Sequence, residues 1–198
     1  MKLSRQAYRA LAHPIETENF HLEPLGLLRA LRVTNSWRHD PEILTAFFQS
    51  PKPRSIRKWF RSGMLPNRKN KFAFAIRPKG QTEPIGADII TLTGYRSGFG
   101  AIALHNQEWR GKGVVFETRA ALINHFFNHG NFVRFYGSVE ARNLASIFNY
   151  KRLGFQHAAT WHRHLHNRAT GDVLDLVYFE LMKEAWENLP WREKTIEG

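Results

Sequence analysis

The chain has 198 residues, 42% hydrophobic and 13% aromatic, which fits one globular domain and favours a folded over a disordered chain. It contains no cysteine, so disulfides, thiolate metal sites and a cysteine nucleophile are excluded. Lys and Arg number 29 against 17 Asp and Glu, a formal charge of +12 that exceeds what solubility requires and points toward anionic partners.

The start, MKLSRQAYRALAH, lacks a secretory apolar segment, and no run reaches the roughly 18 apolar residues of a membrane helix. A cytoplasmic protein without membrane contact is expected. Residues 1–13 are expected to form a basic, partly helical extension poorly placed to join a core. ENFHLEPL then alternates Phe20 and Leu22 with polar neighbours and stops at Pro24, as a first strand would. GLLRALRV and DPEILTAFFQ carry apolar residues at helical spacing, the second opened by the N-cap and first-turn pair Asp40 and Pro41. A short helix is expected from Arg54 to Arg61, with Ile56, Trp59 and Phe60 inward.

Between Pro51 and Gly80 lie ten basic residues and no Asp or Glu: Lys52, Arg54, Arg57, Lys58, Arg61, Arg68, Lys69, Lys71, Arg77 and Lys79. The block is either a positive field for an anionic partner or a solvated face with counterions. KFAFAIRP, PIGADIITLTG and GFGAIALH are expected strands, the last two joined at GYRSG. WRGKGVVFE follows and runs into a helix with Phe116, Ala120, Ile123 and Phe127 on one face and Gly130 as its stop. NFVRFYGSV is a strand, RNLASIFNYKRLGF a helix ended by Gly154, and FQHAATWHRHLH and DVLDLVYFELM are strands around NRATG. This order implies an α/β sheet with antiparallel meanders and at least one crossover, not a doubly wound fold.

The glycine pair before the long helix is no dinucleotide fingerprint, because Phe116 stands where the third glycine is needed, and it is no Walker loop. Its physics still suits a phosphate, since glycines admit a ligand to the backbone and first-turn N–H groups attract anions.

The strings HNQEWRGKGVVFETRAALINHFF, EARNLASIFNYKRLGF and GDVLDLVYFELMKEAW, in that order, resemble the GNAT N-acyltransferase superfamily, most closely its RimJ/RimL-like, ribosomal-protein N-terminal acetyltransferase branch. ETENFHLEPL also resembles that branch's first strand, with Glu23 where arginine is more usual. The resemblance covers residues 14–186, leaving 1–13 as an extension and 187–198 as a tail. It implies an α/β (α+β) fold with a mixed, mostly antiparallel sheet of about seven strands flanked by helices. The sheet would splay between GFGAIALH and NFVRFYGSV to admit acetyl-coenzyme A.

The resemblance further implies that Arg110, Gly111, Lys112, Gly113, Val114 and Val115 hold the pyrophosphate, although Val115 stands where Gly or Ala is preferred. Ala103, Leu104 and His105 would pair with the pantetheine amides, and Asn143 would touch the pantetheine arm or acetyl group besides capping a helix. Tyr150 falls at the position of a tyrosine acid and Ser146 at that of a serine. The expected glutamate before the loop is missing and Ala158 occupies a second acidic position, so Asp88 on GADIITL is a substitute base. Its rivals are a bulge or turn carboxylate and a water chain without any base.

His162, His164 and His166 lie two apart and would share a strand face; ligands from one strand rarely converge, so no metal is expected. Asp175 is an expected structural partner. The implied activity is direct acetyl transfer to a primary amine, on a protein N-terminus or a small molecule. Arg54, Arg57 and Arg61 would border the acceptor entrance, which suits an anionic acceptor or one within an anionic assembly such as the ribosome. Monomer and homodimer both remain open. The alternatives are an RNA-binding module and a coenzyme A sensor without turnover, each on a GNAT-like shell.

Overall fold

Along β3 (Lys71–Pro78) the side chains alternate in size as well as direction: Phe72, Phe74 and Ile76 face one side of a sheet, Ala73 and Ala75 the other. The large side packs against α5 (Val114–His129), where Phe126 takes edge-on contacts from Phe72, Phe74 and Phe135. On the small side the alanines leave space for Trp37, Leu44 and Trp59. These come from a 3₁₀ turn (Ser36–His39), α3 (Pro41–Ala46) and α4 (Ile56–Phe60), which follow α2 (Leu27–Val33). The sheet is thus covered on both faces, which is why β3 reads as a nearly unbroken apolar run.

The computed structural model describes residues 3–166 and 170–192. The remaining strands are β1 (Ile15–Glu16), β2 (Phe20–Pro24), β4 (Gly86–Thr93), β5 (Ser97–Leu104), β6 (Arg134–Glu140), β7 (Gln156–His166) and β8 (Val173–Met182). They form one eight-stranded sheet in the order β1-β2-β3-β4-β5-β6-β8-β7. Every neighbouring pair is antiparallel except β5 and β6, which run parallel across the crossover helix α5. That single parallel contact is short. Only Ser97, Gly98 and Phe99 pair with Arg134, Phe135 and Tyr136, after which the two strands part.

The mostly antiparallel mixed sheet agrees with the expected α+β class, with one strand more than expected because two-residue β1 adds to β2. The N-terminal segment departs further from expectation. Arg5–Leu11 forms α1, Tyr8 stacks on Phe72 at 4.2 Å and donates to the Lys71 carbonyl, and Leu11 is buried. Two apolar residues spaced three apart suffice to seat this basic helix, so Tyr8 and Leu11 join the core that the segment was expected to miss, while its polar residues stay exposed. Beyond α7 (Lys183–Trp186), Trp191 is buried as well, which carries the core past 186.

The expectation for α4 also needs correction. Trp59 is buried, but Ile56 and Phe60 are 57% and 54% exposed, because five residues make little more than one turn and present one side chain inward. Part of the turn NRATG, residues 167–169, and the tail from 193 lie outside the described residues. Among the described residues no helix is long and apolar enough to cross a membrane.

Candidate active site

Gly111 and Gly113 have φ of +75° and +79°, the left-handed region that a side chain would strain, and this explains the glycine pair. Gly113 caps α5 without a side-chain hydrogen bond. The N–H groups of residues 111–116 have no acceptor among the described residues, so the loop and first helical turn present a row of free donors with the helix dipole behind them. Arg110 differs from its expected role. Its N–H is bonded to the Gln107 carbonyl and its guanidinium to Glu42 at 2.6 and 3.1 Å, which ties the loop to α3.

Beside this loop the parted strands leave the β6-facing edge of β5 unpaired from Gly100 onward, and a cavity of about 250 Å³ opens there. Phe99 to Ile102, Val115, Ser138, Asn143, Ser146 and Tyr150 line it. The edge that faces the cavity therefore precedes the expected Ala103, Leu104 and His105. Leu104 is buried in the core, and the His105 N–H is already bonded to the Ile85 carbonyl. Burial lowers the His105 imidazole pKa, and its Nδ1 accepts from the Trp37 indole at 3.4 Å. Asn143 caps α6 (Leu144–Arg152), accepting from the Ser146 N–H at 3.1 Å, and stands in the cavity wall at the same time.

Tyr150 is seated by its neighbours. Its ring stacks on Phe179 at 5.0 Å, Phe155 meets it edge-on, and its hydroxyl fills the space a Cβ at Gly137 would take. Burial raises its pKa, an effect that Arg119 opposes, so the phenol is protonated and available as a donor at neutral pH.

Asp88 cannot serve as the base that attacks a proton in this cavity. It is fully buried, does not line the cavity, and both carboxylate oxygens accept from Arg119, at 3.0 Å from Nε and 2.7 Å from Nη2. Burial pushes its carboxyl up and Arg119 pulls it back; for Arg119, burial is the largest single influence and lowers the pKa, but Asp88 and Tyr150 together outweigh it, so the guanidinium is held charged. Among the described residues no Asp or Glu lines the cavity.

A second, polar cleft of about 440 Å³ shares Phe48 with the cavity and is lined by Thr45, Gln49, Arg54, Glu140, His164 and His166, among others. Of the three expected acceptor-side arginines only Arg54 reaches it; Arg57 and Arg61 are exposed on and just after α4. The histidines do not share one strand face. A register shift between Trp161 and Leu165, with Arg163 at φ +53°, breaks the alternation, sending His162 to Asp175 while His164 and His166 enter the cleft. Asp175 also accepts from the Arg163 N–H at 2.7 Å, which makes it a partner within the bulge.

A donor-lined loop at a helix start, beside parted parallel strands, narrows the family, and the sequence decides it: residues 20–156 match the model of the acetyltransferase (GNAT) domain. The chain belongs to the GNAT acetyltransferase family. Similar solved structures include spermidine N-acetyltransferase from Vibrio cholerae in complex with CoA and spermine, 17% identical with a TM-score of 0.72 over 85% of this chain and 98% of that one. RimL, the ribosomal L7/L12 alpha-N-protein acetyltransferase in complex with coenzyme A, is 14% identical with a TM-score of 0.68, over 87% and 99%. The ribosomal-protein-S5-alanine acetyltransferase from Vibrio fischeri is 18% identical with a TM-score of 0.65, over 88% and 98%. No curated protein matches the sequence.

In this GNAT acetyltransferase, sequence reasoning missed Arg119, although a signal was present. It lies three residues after Phe116 and four before Ile123, a charge on the apolar face of its own helix. A buried arginine there requires a buried carboxylate, and Asp88 on an otherwise apolar strand is that partner.

Proposed function

We propose that this chain transfers the acetyl group of acetyl-CoA directly to a primary amine in a ternary complex. The observation that carries this reading is the continuity of donors and cavity: free N–H groups of residues 111–116 open beside an unpaired strand edge, and Tyr150 stands in the cavity wall there. The loop amides would hold the pyrophosphate, Val115 narrowing the approach, and the open edge of β5 would take the pantetheine amides. Asn143 and Ser146 would contact the arm near the thioester, and Tyr150 would protonate the departing sulfur. Holding both reactants together supplies on the order of 7 kcal/mol or more of the barrier reduction.

The amine would enter by the polar cleft, where Glu140, His164 and His166 are the titratable groups that can pass its proton to solvent. Arg54 in that cleft, and the basic surface next to it, suit an acceptor that is anionic or held in anionic surroundings, such as a protein N-terminus on a ribosomal assembly. A cytoplasmic location accords with such a partner. One observation favours a second reading, a coenzyme A sensor without turnover: among the described residues no carboxylate lines the cavity.

Calorimetric titration with acetyl-CoA, followed by detection of free thiol across amines, peptides and ribosomal proteins, separates the two. Binding with thiol release in the presence of an amine supports the enzyme. Binding without release from any acceptor supports the sensor, and absence of binding overturns both.

A further inference from the structure

Between α5 and β4 lies a buried ion pair, its arginine in the same cavity wall as Tyr150 and its aspartate behind, that acetyl transfer does not use. Arg119 gives Nε and Nη2 to the two oxygens of Asp88. Its other amino group, Nη1, stands beside Gly100 in the cavity wall, where a Cβ on that glycine would come within 3.0 Å. Gly100 and Gly137 each supply the space of a missing side chain, one for the guanidinium and the other for the Tyr150 hydroxyl.

From this arrangement we propose that Arg119, clamped by Asp88, is a positioning residue that sets the proton-donating strength of Tyr150. The inference rests on Tyr150 being the acid. During transfer the amine nitrogen forms its bond to the acyl carbon, the carbon–sulfur bond breaks, and the phenolic proton moves to sulfur. The amine's own surplus proton leaves through the cleft. A phenolate is left behind between Phe155 and Phe179, where an isolated negative charge would be costly. Gly100 and Gly137 follow directly on Phe99 and Tyr136, the last residues paired between β5 and β6, so the guanidinium at Gly100 and the hydroxyl at Gly137 stand at the same level of the two strands. From there the guanidinium offsets that charge, and two bonds to Asp88 keep it from turning elsewhere. A pair serving stability alone would gain nothing from lying in a cavity wall, since apolar residues of similar volume are often as stable.

The groups that bear on the hydroxyl agree with this role. Burial raises the phenol's pKa most, Arg119 from α5 lowers it, and Asp88 from β4 raises it by less than Arg119 lowers it. Its neighbours from β6, β8 and the segment after α6 are Gly137, Phe179 and Phe155, which carry no charge.

The test removes both partners, because an unpaired buried charge would unfold the protein. Asp88→Leu/Arg119→Met, Tyr150→Phe and the triple variant are compared with wild type, each first checked for cooperative unfolding. In the free protein, carbon-13 labelling of tyrosine Cζ follows Tyr150 ionisation without any turnover. Its midpoint is expected to rise by about one unit or more in the double variant. With an acidic peptide bearing a free amino terminus as probe, kcat is expected to fall about tenfold while the acetyl-CoA KM is unchanged, and the basic limb of kcat moves upward. Placed on Tyr150→Phe, the double change is expected to cost nothing further. An unmoved Cζ midpoint, or losses that multiply in the triple variant, overturns this inference and leaves the acid assignment standing. Full kcat in Tyr150→Phe overturns the acid assignment, and this inference with it.

Discussion

Gly137 is the residue whose replacement reports most directly on the site, because a Cβ there would overlap the Tyr150 hydroxyl. The strand is held in place by β8 along its whole length, so the tyrosine has to move instead. Gly137→Ala is expected to lose about 1–3 kcal/mol of stability by overpacking, and kcat is expected to fall while acetyl-CoA affinity stays constant. Denaturation midpoints and calorimetry check the two halves separately; weakened coenzyme binding of the same size would contradict the placement. For Tyr150→Phe, which removes only the hydroxyl, a loss on the order of 10²-fold in kcat is expected from single-turnover kinetics, as for a displaced general acid. The same scale explains why Asp88 misled. A carboxylate in an apolar strand signals burial with a partner as readily as catalysis, and the partner sits 31 residues away on α5.

Among the elements, α1 and β2 carry the clearest consequences. Leu11 is buried in the core, as is Tyr8, although the rest of their helix is basic and mostly exposed. Leu11→Ala is expected to cost about 2–5 kcal/mol, read from urea unfolding; a cost near zero would restore the view of residues 3–13 as an appendage. Glu23 on β2 accepts from Arg77 on β3 at 2.7 and 2.9 Å and from Arg29 on α2 at 2.5 Å, joining three elements. The bond from Arg77, opposed by burial and assisted by Arg29, holds its carboxyl below the usual glutamate range. A depressed folded pKa means that the stability contributed is full above the unfolded value and is lost as pH falls through the folded one. Glu23→Gln is therefore expected to be about 1 kcal/mol less stable at neutral pH. That difference should shrink as pH falls through the depressed folded value and vanish in stronger acid, once the glutamate is neutral in the folded protein as well. An unchanged difference in acid would show that the carboxylate charge contributes nothing.

At the scale of the whole molecule the charge of +12 is the governing feature, and the fold divides the basic block that contributes most to it. Arg77 is neutralised by Glu23, and Lys71 reaches the Gly63 carbonyl, its pKa lowered by burial. Lys52, Arg57, Lys58, Arg61, Arg68 and Lys69 remain exposed, several beside the exposed Ile56 and Phe60 of α4. A field of this kind accelerates encounter with an acidic partner and is screened beyond about 8 Å at physiological salt. Charge reversal at Arg54, Arg57 and Arg61 is expected to raise the KM of an acidic acceptor several-fold and to leave acetyl-CoA affinity nearly unchanged. Added salt should act in the same direction on wild type and less on the variant. Equal effects on acceptor and coenzyme would refute the acceptor-side assignment.

The sequence by itself determined the order of the longer strands and helices, the glycine-made turn ahead of α5 and the family, because these depend on local spacing, on backbone freedom and on motifs contiguous in the chain. It could not reveal which side chains the crossover brings together. Arg119 with Asp88, Gly137 with Tyr150, and Leu11 with the core are pairings between helices and the sheet they pack on, and two extra residues in β7 between Trp161 and Leu165 were enough to redirect the histidines. Such pairings are decided by register and packing, where residues distant in sequence compete for the same buried volume; only the tertiary structure records which of them obtained it.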